Sequence, residues 1–526
     1  MHLTPLFFTL AGSFQLGACH VAKALLYDPH CSRTSQALAN ASVTDFIIVE
    51  YRDTLGGRVW HTDFGKDANG DPYVVEFGAN WIQGLGSERV ENPVWRLAKK
   101  HGLRNTYSDY ESILTYNETG YSNYSHVLDE YSQARKTASL HAGQILNVNL
   151  QDMTARSGLA LAGWRPRHDD MAAQAVEWWN WDWEGASSPE TSSFVFGIAG
   201  ENLTFHQFGD ENNLVLDARG YSAIIQGEAD TFLEANNDDP RLRLNTIVST
   251  IEHSPEGVII RNTDGTCISA AYAICTFSLG VLQNDAVAFS PALPAWKQTA
   301  IHKFTMATYT KIFMQFSETF WPPHTQFLLY ASPTTRGYYP VFQSLSTAGF
   351  LPGSNILFVT VVGPQAYRVE RQPDAETRRE ILAVLREMFP DRTIPEPIAF
   401  AYPRWSTESW AYGSYSNWPA GTTLEMHQNL RANVGRLWFA GEATSAPYFG
   451  FLHGAWFEGR EAGEQVAALL QRGDGECGGS GGGGNLEDGG RDCGRVHYEV
   501  LHGTTPIDAY STENGWGVNS TLVMQA

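Results

Sequence analysis

The stretch Asp45–Trp60, DFIIVEYRDTLGGRVW, constrains the fold more than any other part of the chain. Phe46–Val49 is a short apolar run rich in β-branched residues, the pattern of a strand buried on both faces. Glu50 ends the run. In a dinucleotide-binding βαβ unit, an acid at the end of the second strand accepts hydrogen bonds from ribose hydroxyls. Gly56 and Gly57 follow, then Arg58. A glycine pair lets the backbone approach a ligand closely, and an arginine beside it can pair with a phosphate. One strand, one acid and two glycines also occur in ordinary surface turns.

An acid in this role lies about 20 residues after a G-x-G-x-x-G loop. This chain has no glycine between Gly17 and Gly56. Val21–Asp28 reads as a short strand, Pro29–Ser35 as a loop, and Gln36-Ala-Leu-Ala as the end of a helix. The expectation is an α/β dinucleotide-type domain whose first strand and glycine loop are missing, or whose first strand is replaced by Val21–Asp28.

At 526 residues the chain has room for two or three domains with sizeable cores. Hydrophobic residues make up 43% and aromatics 12%, which places it among globular proteins. A net charge of −21 argues against nucleic acid as a partner and is compatible with a cationic ligand. Residues 3–18 are apolar with small residues at the end, so residues 1–18 read as a secretory signal. No stretch is long enough for a membrane span. Five N-x-S/T triplets, at Asn40, Asn117, Asn123, Asn202 and Asn519, fit a secreted glycoprotein. The cysteines form no C-x-x-C and no zinc pattern; Cys477 and Cys493 flank a glycine-rich segment and are candidates to pair.

Residues 36–104, 206–300 and 400–470 read as three segments of one cofactor domain. Residues 105–205 and 301–399 read as a substrate domain with a mixed sheet and helices, including the aromatic-rich EWWNWDWE at Glu177–Glu184. Lys311–Phe316 and Ile356–Val362 are expected strands of its sheet. Asp374 is expected to cap an amphipathic helix that Pro390 stops. Gly454–Leu470 reads as a helix with small residues spaced for close packing. Residues 474–526, with GGSGGGG at Gly478–Gly484, are a low-complexity tail expected to be disordered.

The E-x-x-x-x-x-G-G-R pattern from Glu50 to Arg58, followed by FGANWIQG at Phe77–Gly84, resembles the flavin-dependent amine oxidases. Within them it is most similar to secreted plant and fungal polyamine oxidases. SLGVL at Ser278–Leu282, YTKIF at Tyr309–Phe313, SNWP at Ser416–Pro419 and FAGEATS at Phe439–Ser445 match in the same order. The resemblance implies non-covalent FAD, oxidation of a polyamine at a carbon beside a secondary amine, and reduction of O2 to H2O2.

It also implies roles. Lys311, inside an apolar strand, becomes the catalytic candidate, holding a water near the reactive flavin nitrogen. Tyr415 and Phe451 match aromatic positions on either side of the substrate amine. Glu184 matches an acid of the polyamine tunnel, and Gln83 stands where plant relatives carry a second acid. Cofactor contacts fall on Glu50, Gly57, Arg58, Ala79, Asn80 and Trp81. Others fall on Ile247, Trp405, Gly441, Glu442 and Leu452. Two other readings stay open: an oxidase of another amine or amino acid on the same fold, and an inactive flavin-free secreted glycoprotein, because the glycine loop is absent.

Overall fold

In the computed structural model the described residues are 19–27, 31–86, 90–147, 151–234, 239–472 and 494–503. The expected signal at 1–18, the glycine-rich run, Cys477, Cys493 and Asn519 lie outside them.

One eight-stranded sheet is organised on a single long strand, Cys267–Cys275. One edge of this strand pairs in parallel with His20–Tyr27, from His20↔Ile268 to Tyr27↔Cys275. The other edge is shared. Its first half meets Val258–Asn262 antiparallel, and its second half meets Leu437–Phe439 in parallel. Phe46–Val49 lies beyond His20–Tyr27, with Leu242–Arg243 outside it. The strands at Phe46, Ala271 and Leu437 thus occupy one sheet, although more than 150 residues separate each from the next.

Of the two expectations for the first strand, its absence is corrected and its replacement by the segment at Val21–Asp28 is what the sheet shows. His20–Tyr27 is present and takes the position between Phe46–Val49 and the central strand. Ala22 and Ala24, two residues apart, are small and buried in the sheet. A disulfide from Cys19 to Cys267 ties the start of this strand to the start of the central one. The helix expected only as a tail spans Cys31–Asn40. It packs on the long helix Leu452–Arg472, where a Cβ on Gly463 would come within 2.7 Å of the Thr34 carbonyl. The residues joining His20–Tyr27 to this helix are Asp28, Pro29 and His30, so the glycine loop itself remains absent from the sequence.

A second, seven-stranded sheet runs Ala399–Ala401, Tyr309–Gln315, Ile356–Val362, Val341–Ser344, Phe327–Tyr330, Ile113–Asn117, Gly120–Tyr121. Four of its strands are buried at every position, in keeping with their largely apolar sequences. Asp374–Met388 covers part of it. Asp374 is the first residue of that helix, not its cap; Pro373 holds the cap position without a side-chain bond. Helices from residues 125–201 form a separate aromatic cluster against this sheet. Between the strands Leu242–Arg243 and Val248–His253 the chain turns at Asn245, whose φ is 51°.

Two further corrections concern the surface. Asn202 is buried, so its triplet is not open to a glycosyl group, whereas Asn40 and Asn123 are exposed. Within the expected disordered tail, residues 494–503 dock on the body. Arg495 is buried between Glu458 and Glu461 and donates to the carbonyls of Arg431 and Phe439. Asn429 exchanges two bonds with the Tyr498 backbone, at 2.7 and 2.8 Å. His502 pairs with Glu425 at 2.7 Å. A paired guanidinium and satisfied backbone groups hold this segment where its composition alone offers little to bury.

Among the described residues, no helix is long and apolar enough to cross a membrane.

Candidate active site

The two sheets flank a cavity of about 1340 Å³, including its mouth. One end is built by Lys311. The strand Tyr309–Gln315 is buried throughout, so period-two alternation sends Tyr309 and Lys311 to the same face. Both line the cavity. The Lys311 ammonium donates to the Gly78 carbonyl and stands 5.9 Å from the Trp81 ring centroid. Burial lowers its pKa; the carboxylate of Glu76 opposes that shift. Glu76 accepts the Tyr221 N–H at 2.6 Å through one oxygen, while its buried second oxygen has no hydrogen-bond partner. Burial raises its pKa in turn.

Gly78 cannot be replaced at this point. A Cβ there would lie 1.7 Å from the Arg58 carbonyl. That contact sets the next residues, Ala79, Asn80 and Trp81, on the cavity wall. Trp405 also lines it and packs edge-on against Trp60 at 5.7 Å.

Arg58 and Glu442 form a buried ion pair at 2.7 Å on the same wall. Gly441, at φ 138°, turns the chain out of Leu437–Phe439 and aims Glu442 inward. Glu442 also accepts Ser416 Oγ at 2.6 Å and the Gly450 N–H at 2.9 Å. Burial pushes this carboxyl up, but Arg58 and these bonds outweigh it and hold it below the ordinary range.

The other end is built by the EWWNWDWE segment. Met171–Glu177 passes into a π-helical turn at Trp178–Asp182, then a last turn at Trp183–Gly185. Such bulges re-aim side chains. The segment carries three acids with different fates. Glu177 is paired with Arg156 and Arg336, and Asp182 with Arg336. Glu184 faces the cavity, where its only side-chain hydrogen bond among the described residues comes from Gln83 Nε2 at 3.0 Å. Desolvation, then the charge of Glu201, pushes its carboxyl up to about 8.

Tyr415 donates its hydroxyl to the Glu184 carbonyl at 2.8 Å, which ties the aromatic wall to the acid. Phe451 lines the cavity and stacks on His453 at 5.1 Å. Leu452 lines it as well.

The cavity therefore gathers Lys311, Gln83, Glu184, Tyr415 and Phe451 with Arg58, Ala79, Asn80, Trp81, Trp405, Glu442 and Leu452. It does not include Glu50, Gly57, Ile247 or Gly441. Gly57 precedes Arg58 with φ 44°. Glu50 is buried at the end of Phe46–Val49, and its backbone carbonyl accepts the Thr246 N–H at 2.9 Å. Ile247 follows directly and is partly exposed. Glu50 and Ile247 thus form a separate cluster at the parallel edge of the first sheet. Tyr309 was absent from the sequence candidates. The period-two relation to Lys311 is the signal that identifies it.

Adjacent parallel strands with a buried acid at the end of Phe46–Val49 are the pattern of a dinucleotide-binding sheet. The family model for flavin containing amine oxidoreductases matches residues 34–467, and the chain belongs to that family. It is 38% identical over 435 residues to Polyamine oxidase 7 of Oryza sativa subsp. japonica, covering 80% of this chain and 89% of that one. It is 36% identical to Polyamine oxidase 1 of Zea mays, covering 83% and 88%. A solved structure of wild-type putrescine oxidase bound to putrescine has the same fold, with a TM-score of 0.66 at 15% identity, covering 86% of this chain and all of that one.

The chain is an FAD-dependent amine oxidase. The residues fit this cofactor at both ends. Glu50 accepts the Arg52 N–H at 2.8 Å through one oxygen, and its second buried oxygen has no hydrogen-bond partner among the described residues, leaving an acceptor for a ribose hydroxyl. Burial raises its pKa, which a hydrogen-bond donor would relieve. Trp405, Ala79 and Lys311 line the cavity and would wall the flavin. The departure is confined to Asp28-Pro29-His30, where a glycine loop would cradle the diphosphate.

Proposed function

We propose that this chain oxidises polyamines of the spermine and spermidine class at a carbon beside a secondary amine, with O2 reduced to H2O2. The observation that carries the reading is Glu184. It is a carboxylate in an aromatic-walled cavity, and no cation of the described residues is on it, although both other acids of its segment have an arginine. A buried carboxylate without a cation is costly, and a substrate ammonium supplies one.

FAD, when bound, supplies the hydride acceptor and passes the electrons to O2. The chain's own residues do the positioning. Glu184 and Gln83 hold a distal ammonium. Its arrival favours the ionised form of Glu184, so binding releases a proton where the carboxyl was protonated. The Tyr415 and Phe451 rings confine the alkyl chain and favour an amine against their faces. Lys311, fixed on the Gly78 carbonyl, keeps capacity for a water near the flavin end. The aromatic walls exclude bulk water from this region.

The reading includes secretion. The Cys19–Cys267 bond fits an oxidising compartment, and the exposed triplets at Asn40 and Asn123 fit glycosylation. Detection in the culture medium of an expressing eukaryotic host, with a mobility shift on deglycosylation, tests it.

The substrate test is a peroxide assay with spermine, spermidine, tyramine and L-amino acids. Turnover of the first two supports the proposal. Activity confined to tyramine or L-amino acids overturns it in favour of another amine on the same fold.

A further inference from the structure

Besides Glu184 and Glu442, the cavity holds a third carboxylate that the reaction described above does not use. Helix Phe194–Glu201 presents Gly197, Gly200 and Glu201 to it. These positions share one helix face at spacings of three and four. The glycines bring the helix close: an added Cβ would meet Trp181 from Gly197 and Phe449 from Gly200, each at 3.0 Å. Glu201 is the only acid on that face.

One Glu201 oxygen accepts Arg135 Nη2; the other has no hydrogen-bond partner among the described residues. Arg135 is held from its far side by Ser139 Oγ at 3.0 Å. The Glu201 side chain is 25% exposed and that of Arg135 17%. The pair is neither sealed in the core nor free in bulk water. Glu201 also contributes to the upward shift of Glu184, so the two carboxylates sense each other across the cavity.

A polyamine carries several cations. The nitrogen beside the reacting carbon must be uncharged for hydride removal, and each remaining ammonium entering a desolvated cavity needs an acceptor of charge. Glu184 provides one. Gln83, its neighbour, is neutral and provides none. Resting on the polyamine reading, we propose that Glu201 is a second ammonium-binding carboxylate, held by Arg135 in the free enzyme and shared with the substrate's outer ammonium on binding. It sets the preference for amines with a charged far end.

The test crosses a protein charge with a substrate charge. KM and equilibrium binding by titration calorimetry are measured for spermine and for N1,N12-diacetylspermine, whose ends are neutral. Glu201→Gln is expected to weaken spermine about tenfold and the diacetyl amine less than twofold, since only spermine loses a charge-assisted contact. Arg135→Gln, which releases Glu201, is expected to tighten spermine. Equal losses for both amines, no loss for either, or a spermine loss in Arg135→Gln would each overturn the proposal in favour of a structural ion pair. Spermine that binds with Glu201 dependence but is not oxidised would overturn the substrate reading and leave the subsite standing. Absence of spermine binding by the wild type overturns both.

Discussion

Gln83 Nε2 donates to Glu184 Oε1 at 3.0 Å across the substrate end of the cavity, joining a short strand of one region to the aromatic insert of another. The bond orients the carboxylate and contributes no charge. Replacing Glu184 with Gln should therefore remove the cation's partner while preserving shape. Losing a charge-assisted hydrogen bond of about 1.5–3 kcal/mol corresponds to a rise in polyamine KM of roughly 10- to 100-fold. Initial rates of peroxide formation measure it, and a KM within twofold of wild type would remove Glu184 from recognition.

The same carboxyl makes a pH prediction. Its pKa is about 8 in the fold and near the ordinary carboxylate value when unfolded. Between those values the folded chain binds a proton that the unfolded chain does not. Its contribution is fully present below the unfolded pKa and is lost as pH rises through about 8. Glu184→Gln has no such loss. The melting temperature of the variant relative to wild type should rise from pH 5 to pH 8.5. A constant difference would show that Glu184 titrates normally.

Lys311→Met keeps much of the stem volume and removes the nitrogen on the Gly78 carbonyl. The slower of flavin reduction and reoxidation should fall by about 100-fold, within the range for a positioned proton-transfer group. Substrate affinity should change far less. Stopped-flow absorbance separates the two half-reactions; unchanged rates in both would reduce Lys311 to a packing residue.

The Cys19–Cys267 bond secures the strand that leads to the helix Cys31–Asn40. Cys267→Ser should lower global stability by about 2–4 kcal/mol. It should also weaken FAD binding, because the diphosphate lies at the start of that helix in such folds and no glycine loop compensates here. Flavin absorbance during titration of wild type and variant reads this. Equal affinities would show that the first strand is held by its ladder alone.

Removing residues 473–526 takes Arg495 from between Glu458 and Glu461 and leaves those acids to Arg431. Deleting one member of a buried charge network costs about 3–5 kcal/mol. The truncated protein should melt several degrees lower, with KM unchanged because residues 494–503 do not line the cavity.

Much of this protein is set by local sequence. The apolar runs at Phe46–Val49, Tyr309–Gln315 and Ile356–Val362 become buried strands because no register would place their side chains in water at lower cost. Motif order carried the family and most cavity residues: Lys311 sits inside a strand, Arg58 in the turns after Phe46–Val49, and Glu442 just past Leu437–Phe439. Three things were decided only in three dimensions. His20–Tyr27 enters the sheet because the long strand Cys267–Cys275 offers it a full ladder, a partner some 250 residues away that no local pattern reveals. Residues 494–503 are ordered by charges and backbone acceptors of the body, not by their own hydrophobicity. And the acids of EWWNWDWE look alike in sequence; Arg156 and Arg336 neutralise Glu177 and Asp182 but leave Glu184 to the cavity. A carboxylate's chemistry depends on which cation the fold brings within a few ångströms, and tertiary packing alone sets that distance.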